Sequence, residues 1–185
     1  MAAGGAAPLI VHPATAGDLP DLAAVAAATF PLACPPSVTP DNIAAFIAET
    51  LSEERFGEYL TDPDRVVLVA RDVSITGYAM LIRGVPDDAD VQRAVAPRPA
   101  MELSKIYVLP DRHGGEAAQA LMTAALSTAA ESGARCVWLG VNQLNQRAQR
   151  FYTKNGFTVS GTKTFRLGTG VEDDYVMVRP VSRPD

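Results

Sequence analysis

The stretch Arg135-Cys-Val-Trp-Leu-Gly-Val141, followed by Asn145-Gln-Arg-Ala148-Gln-Arg-Phe151-Tyr152-Thr-Lys154-Asn-Gly156-Phe157, decides how this chain folds. Its first seven residues are nearly all apolar, the pattern of a strand buried on both faces. A helix then runs from Asn145 to Asn155 with Ala148 and Phe151 on one face, and Gly156 ends it. Upstream, Met101 to Val108 reads as another strand, turns at Pro110-Asp111 and enters an Ala-rich helix from about Gly114 to Ser132, ended by Gly133. Leu121, Met122, Ala125, Leu126 and Ala129 form the apolar face of that helix. Strand, helix and buried strand in this order predict a crossover unit whose two strands are parallel.

Farther toward the N-terminus, Val66 to Ala70 and Gly77 to Ile82 are β-rich runs joined by a short polar loop, which predicts an antiparallel hairpin. Before them lie a strand at Leu9 to Pro13 and a helix carrying Leu22, Val25, Ala26 and Phe30, expected to be ended by Pro31, Pro35 and Pro36. A second helix starts near Thr39-Pro40-Asp41, and an amphipathic turn covers Glu53 to Leu60. Gly84 to Pro99 is the one long stretch that reads as irregular, and it is expected to shape a substrate entrance. Two strands, Thr158 to Leu167 and Asp174 to Val181, close the chain. The order predicts one α+β domain over residues 1–185.

Composition narrows the function classes. The chain has 185 residues, 16 Lys and Arg against 21 Asp and Glu, and a net charge of −5. That balance argues against nucleic acid or an anionic membrane as partner, since both demand a positive footprint. The first ten residues hold no Lys or Arg and no continuous apolar run, and no segment is apolar enough to span a bilayer, so a cytoplasmic location is expected. Cys34 and Cys136 are far apart and read as reduced structural thiols, and with only two His, at 12 and 113, no metal site is expected.

The pattern Asn145-x-x-Ala148-x-x-Phe151-Tyr152-x-Lys154-x-Gly156-Phe157 resembles the GCN5-related N-acetyltransferase (GNAT) superfamily, and the order of elements agrees over almost the whole chain. The resemblance implies a mixed, mostly antiparallel sheet of six to seven strands, helices on both faces, and acetyl-CoA wedged where two neighbouring parallel strands splay apart. It assigns Ile106, Tyr107 and Val108 to the pantetheine arm of the cofactor, and Asn142, Asn145 and Tyr152 to the same site. It also implies a pyrophosphate loop of the form Arg or Gln, any two, Gly, any one, Gly or Ala, opening a helix whose first amides are unpaired. Framed as His113-Gly114-Gly115-Glu116-Ala117-Ala118, this stretch has His113 at the Arg or Gln place and Glu116 at the first glycine. Two readings follow: the Glu116 carboxylate swings to solvent while the backbone binds phosphate, or the site is weakened. His113 is a phosphate donor or an exposed loop residue.

By the same resemblance Tyr152 matches the general acid that protonates the leaving thiolate, and Glu102 matches a glutamate base. From its own chemistry, Glu102 could equally anchor a cationic substrate or pair with Arg. Tyr78 and Tyr107 are candidate wall residues. No Cys lies in these segments, so direct transfer in a ternary complex is expected.

Leu103 to Leu109, Trp138 to Val141, Phe165 to Gly168 and Asp173 to Met177 resemble the polyamine acetyltransferase branch of the superfamily. Asp87, Asp88 and Asp90 with Glu49, Glu53, Glu54 and Glu58 would steer spermidine or spermine, or are simply a solvated face. The alternatives are a protein N-terminal (ribosomal-protein alanine) acetyltransferase and a non-catalytic CoA-binding module. The chain is expected to act as a monomer or homodimer on a small-molecule amine.

Overall fold

The computed structural model describes residues 7–110 and 115–182. Seven strands form one sheet: β1 (Ile10–Pro13), β2 (Arg65–Arg71), β3 (Ile75–Arg83), β4 (Ala100–Val108), β5 (Cys136–Asn142), β6 (Thr158–Leu167) and β7 (Gly170–Pro180). Their spatial order is β1-β2-β3-β4-β5-β7-β6. Among the described residues only β4 and β5 run parallel, as the crossover predicts.

The linking helix α5 (Glu116–Glu131) lays Leu121, Met122, Ala125 and Ala129 on one face of the sheet, against Leu81, Met101, Leu103, Val137, Leu139 and Phe157. Helices α1 (Leu19–Ala33), α2 (Pro40–Thr50) and α3 (Glu53–Thr61) cover the other face, where Leu22, Phe30 and Phe56 pack on Val67, Val69, Tyr78 and Met80. Each fully buried large side chain contributes roughly 1.5–3 kcal/mol, so both layers hold the sheet firmly.

The contact between β4 and β5 is short. Ala100 pairs Cys136, Met101 pairs Val137 and Glu102 pairs Trp138, and there pairing stops, although β4 runs on to Val108 and β5 to Asn142. Beyond that point each strand keeps its outer partner: Lys105 to Val108 stay on β3, and Leu139 to Asn142 on β7. The two halves of the sheet therefore part and leave a cleft.

Three local readings differ from expectation. Pro31 lies inside α1, which runs on to Ala33. A proline two residues from a helix end sacrifices one bond, and Cys34 N still donates to Pro31 O at 3.3 Å. The stretch from Gly84 to Pro99 is not irregular, because it contains α4 (Ala89–Ala94), capped by Asp88, whose carboxylate accepts from Asp90 N and Val91 N at 2.9 and 3.2 Å. Val91, Ala94 and Val95 pack on Cys136, Trp138 and Val176, so the stretch is a piece of core and does not line the cleft. β7 begins at Gly170, four residues before Asp174, because β6 and β7 form a tight hairpin pairing Leu167 with Gly170.

Candidate active site

One extra residue in β4 sets the geometry. Met80 on β3 pairs Lys105 while the next residue, Leu81, pairs Leu103, which makes Ser104 a bulge. Glu102 stands opposite Ile82, Lys105 opposite Met80 and Tyr107 opposite Tyr78, and all three β3 partners pack toward α1, α2 and α3. Leu103, Ile106 and Val108 pack toward α5. Simple alternation would place Glu102 with Ser104 and Ile106; the bulge instead puts Glu102, Lys105 and Tyr107 on one face.

The bulged strand also presents backbone to the cleft. Leu109 N donates to Thr76 O at 2.8 Å, so 109/76 and, two residues back, 107/78 are hydrogen-bonded pairs. The intervening Ile106 and Val108 turn N–H and C=O away from β3, toward the space that β5 has left. Buried or half-buried backbone groups demand partners, and an extended amide-bearing chain laid in the cleft would supply them. Tyr107 offers its side chain, since its own backbone groups face β3.

Helix α6 (Gln146–Lys154) closes the other side of the cleft. Asn145 is its N-cap: its Oδ1 accepts from Ala148 N at 3.1 Å, and its Nδ2 has no partner among the described residues. The side chain of Asn142 is engaged within the protein, with Oδ1 accepting from Leu144 N at 2.9 Å and Nδ2 donating to Glu172 at 3.2 Å. Gln119 Nε2 donates to Asn155 Oδ1 at 2.9 Å and ties α5 to the C-terminal end of α6. Tyr152 sits between Phe151 and Phe157, with its ring edge-on to Phe157 at 6.0 Å. Burial, with Tyr107 nearby, holds its phenol protonated far above the ordinary tyrosine value.

At the start of α5 the residue in the left-handed region is Gly115, with φ 95°. Glu116 follows as the first helical residue and is exposed, Ala117 is buried and Ala118 lines the cleft. The position that needs glycine is thus one residue earlier than the frame beginning at His113 supposes. Framed as Arg112-x-x-Gly115-x-Ala117, the stretch meets the pyrophosphate pattern at all three places. Adjacent glycines at 114 and 115 hide this frame in the sequence. Arg112, His113 and Gly114 lie outside the described residues.

Between these walls lies a cavity of about 390 Å³, lined by both Glu102 and Tyr152. It also holds groups that the motifs did not single out: Lys105, Lys163, Glu172, Asp174, Cys34 and the rings of Phe30, Phe46 and Phe165. Phe30 stacks on Phe46 at 4.4 Å, and Phe165 meets Phe46 edge-on at 5.8 Å. Lys163 reaches the cavity from β6 across Gly140, where a Cβ would run into its Cε, and its Nζ lies 3.4 Å from Asp174 Oδ2. Burial raises the Glu102 carboxyl above the usual range, with Lys105, Lys163 and Arg65 partly offsetting it. Burial pushes Lys105 down to about 8 and Tyr107 up to about 12.

Cys34, outside the segments expected to carry the site, lines the cavity from the C-terminal end of α1. Burial and Glu172 raise it to about 11, and its Sγ–H donates to Phe30 O at 3.4 Å, so it is held as the unreactive thiol. The carboxylates read as a steering field lie elsewhere, and none lines the cavity: Asp88 caps α4, Asp90 pairs with Arg93, and Glu58 pairs with Arg55 at 2.5 Å.

A family model described as "Acetyltransferase (GNAT) family" matches residues 30–157, from the end of α1 through α6 to Phe157. The chain belongs to that family, and it is an acetyl-CoA-dependent N-acetyltransferase. It is 61% identical over 163 residues to an uncharacterized N-acetyltransferase of Mycobacterium tuberculosis strain H37Rv, covering 88% of this chain and 97% of that one. An uncharacterized N-acetyltransferase of Lactobacillus delbrueckii subsp. lactis is 26% identical over 86% of this chain and 90% of its own length. Among solved structures, the PaiA N-acetyltransferase of Thermoplasma acidophilum in complex with coenzyme A superposes with a TM-score of 0.73 at 20% identity, covering 94% and 99% of the two chains. The ribosomal-protein-S18-alanine N-acetyltransferase of Escherichia coli gives 0.66 at 19% identity, covering 96% and 97%.

Proposed function

We propose that this enzyme acetylates a small primary amine by direct attack within a ternary complex. The observation that carries the reading is the parting of β4 from β5 after three residue pairs, which opens Ile106 and Val108 beside Tyr152 and above Glu102. Acetyl-CoA, when bound, supplies the acetyl group and leaves as the thiol. Ile106 and Val108 hold the pantetheine arm through backbone groups, Asn145 Nδ2 adds a donor, and the α5 amides behind Gly115 take the pyrophosphate. Glu102, alone or through water, accepts the proton that the attacking nitrogen loses, and the neutral Tyr152 phenol gives its proton to the sulfur as the carbon–sulfur bond breaks. Cys34, held as a thiol, is not activated to carry the acetyl group. We place the enzyme in the cytoplasm, a reading supported by the free thiols Cys34 and Cys136.

A polyamine acceptor is the finer reading taken from the sequence. Its support is the fold shared with PaiA and the three carboxylates Glu102, Glu172 and Asp174 in the cavity. The ammonium groups of Lys105 and Lys163 among them favour an acceptor of lower positive charge. The test is acetyl transfer by the purified chain, followed as CoA released, over a panel of amines. Intersecting initial-rate patterns are expected; parallel patterns refute direct transfer. Tight acetyl-CoA binding with no CoA release on any amine makes the chain a binding module.

A further inference from the structure

The cavity wall contains two opposite charges that no described residue meets at hydrogen-bond or ion-pair distance. Glu102 and Lys105 are neighbours on one face of β4, about 7 Å apart along the strand, the spacing of residues that share a face. They lie beyond ion-pair distance of each other. Neither forms a hydrogen bond or ion pair with any described residue; Lys105 Nζ lies 5.8 Å from the centroid of the Phe46 ring. Lys163 and the other carboxylates around the cavity are answered in place, while Arg147, which also lines it, is exposed. Lys163 pairs with Asp174, Glu172 accepts from Asn142 at 3.2 Å and from Ser37 at 3.4 Å, and Arg65 pairs with Asp62 at 3.1 Å.

A half-buried charge without a partner is unfavourable unless a ligand completes it. Here two such charges of opposite sign face one cavity whose lining also includes the rings of Phe30, Phe46 and Phe165. We infer that the acceptor is an amine carrying its own carboxylate, an α-amino acid with an apolar side chain, whose nitrogen meets Glu102 and whose carboxylate meets Lys105. Resting on the acetyltransferase reading above, this inference names the acceptor class. The ammonium and carboxylate of an amino acid are separated by a single carbon, so each reaches one of the two wall residues while the side chain contacts the rings. Lys105, at about 8, is still largely protonated at neutral pH and able to hold an anion. It does not serve the pyrophosphate. From Lys105 the strand runs three further residues to Val108, about 10 Å, before the chain turns toward α5, and the Lys105 side chain faces away from α5.

The test uses the full chain with acetyl-CoA and L-phenylalanine, L-leucine, their amides, and spermidine. The amides keep the amine and remove the carboxylate. In calorimetric titration of the CoA-bound protein, the acids are expected to bind at least ~10-fold more tightly than their amides. The ratio of kcat/KM for acid over amide is expected to fall ~10- to 100-fold in Lys105→Met, and to be largely retained in Lys105→Arg. Comparing that ratio between variants cancels the different basicity of acid and amide. Equal binding of acid and amide overturns the inference. So does a Lys105→Met loss equal on both, which would make Lys105 part of proton transfer, and so does a preference for spermidine. Tighter acid binding without CoA release on any amine would sustain the recognition site and refute the proposed catalysis, so the two failures are distinct.

Discussion

Replacing Glu102 by Gln changes one oxygen for a nitrogen in the cavity and separates two roles of that side chain. A Lys-like primary amine of pKa about 10.4 is free in only about 1 in 2,500 molecules at pH 7, so stripping its proton requires roughly 4.6 kcal/mol. At pH 9 about 1 in 25 is free and the requirement falls to roughly 1.9 kcal/mol. A base at Glu102 is therefore worth most at neutral pH. We expect Glu102→Gln to lower kcat/KM by about 10²- to 10⁴-fold at pH 7, and the deficit to shrink by up to ~100-fold by pH 9. n-Butylamine suits the assay, because its tail offers Lys105 nothing to hold. The same variant has a stability signature. Burial raises the Glu102 carboxyl in the folded state, so the folded protein holds that proton more tightly than the unfolded chain does. The wild type accordingly loses stability as pH rises from the ordinary carboxylate value through the raised one. Glu102→Gln should melt higher than wild type at pH 7, and the gain should vanish as pH falls to about 4. A deficit constant from pH 7 to 9, with an unchanged melting temperature, refutes the assignment and leaves Glu102 a spectator of the proton transfer.

Tyr152→Phe should lower kcat by about 10- to 1,000-fold with acetyl-CoA affinity nearly unchanged, as steady-state rates and calorimetry will show, because only the proton donated to the leaving sulfur is lost. Gly115→Ala forces a side chain into the left-handed region, so it should destabilise the fold by about 1–2 kcal/mol in denaturant titration and weaken acetyl-CoA binding. Glu116→Gly, at an exposed first-turn position, should leave acetyl-CoA affinity within about 3-fold, whereas a large tightening would restore the frame that begins at His113. Gly140→Ala should push the Lys163 ammonium away from Asp174. A crystal structure of that variant with the 3.4 Å pair intact would disprove the crowding argument.

The sheet and its crossover were legible because periodicity reports burial, and burial is what the strands share. Arg135 to Val141 reads as covered on both faces, and Cys136 to Leu139 are: α5 lies on one side, and α4 meets Trp138 on the other. Features that depend on a single residue were not legible. Ser104 carries no sequence sign of being a bulge, so the face of Glu102 could not be read, nor the company it keeps with Lys105 and Tyr107. Two adjacent glycines allow two frames for the phosphate loop, and only the positive φ of Gly115 separates them. Lys163 joins the site from the far side of β7, a placement set by strand order and by the missing side chain at Gly140. Asn145 fell between the two cases, since the spacing that marked it as a site residue is also that of a helix N-cap, and the structure assigns it the cap.

The bulge connects the two halves of the proposed chemistry. An extra residue in one strand of an antiparallel pair bends that strand and raises its twist, so β4 can stay on β3 while its end swings away from β5. The open backbone of Ile106 and Val108 then exists because Ser104 does. The same residue restarts the alternation, which brings Lys105 and Tyr107 to the face of Glu102 and leaves Ile106 and Val108 against α5. Without it, Lys105 would point into the apolar layer beneath α5, where an ammonium has no compensation, and Ile106 would stand in the acceptor cavity. The cofactor cleft and the charge pair that we assign to the acceptor therefore have one structural cause. Acceptor specificity can vary through residue 105 without disturbing the backbone that holds acetyl-CoA, because side chains form one wall and main-chain groups the other.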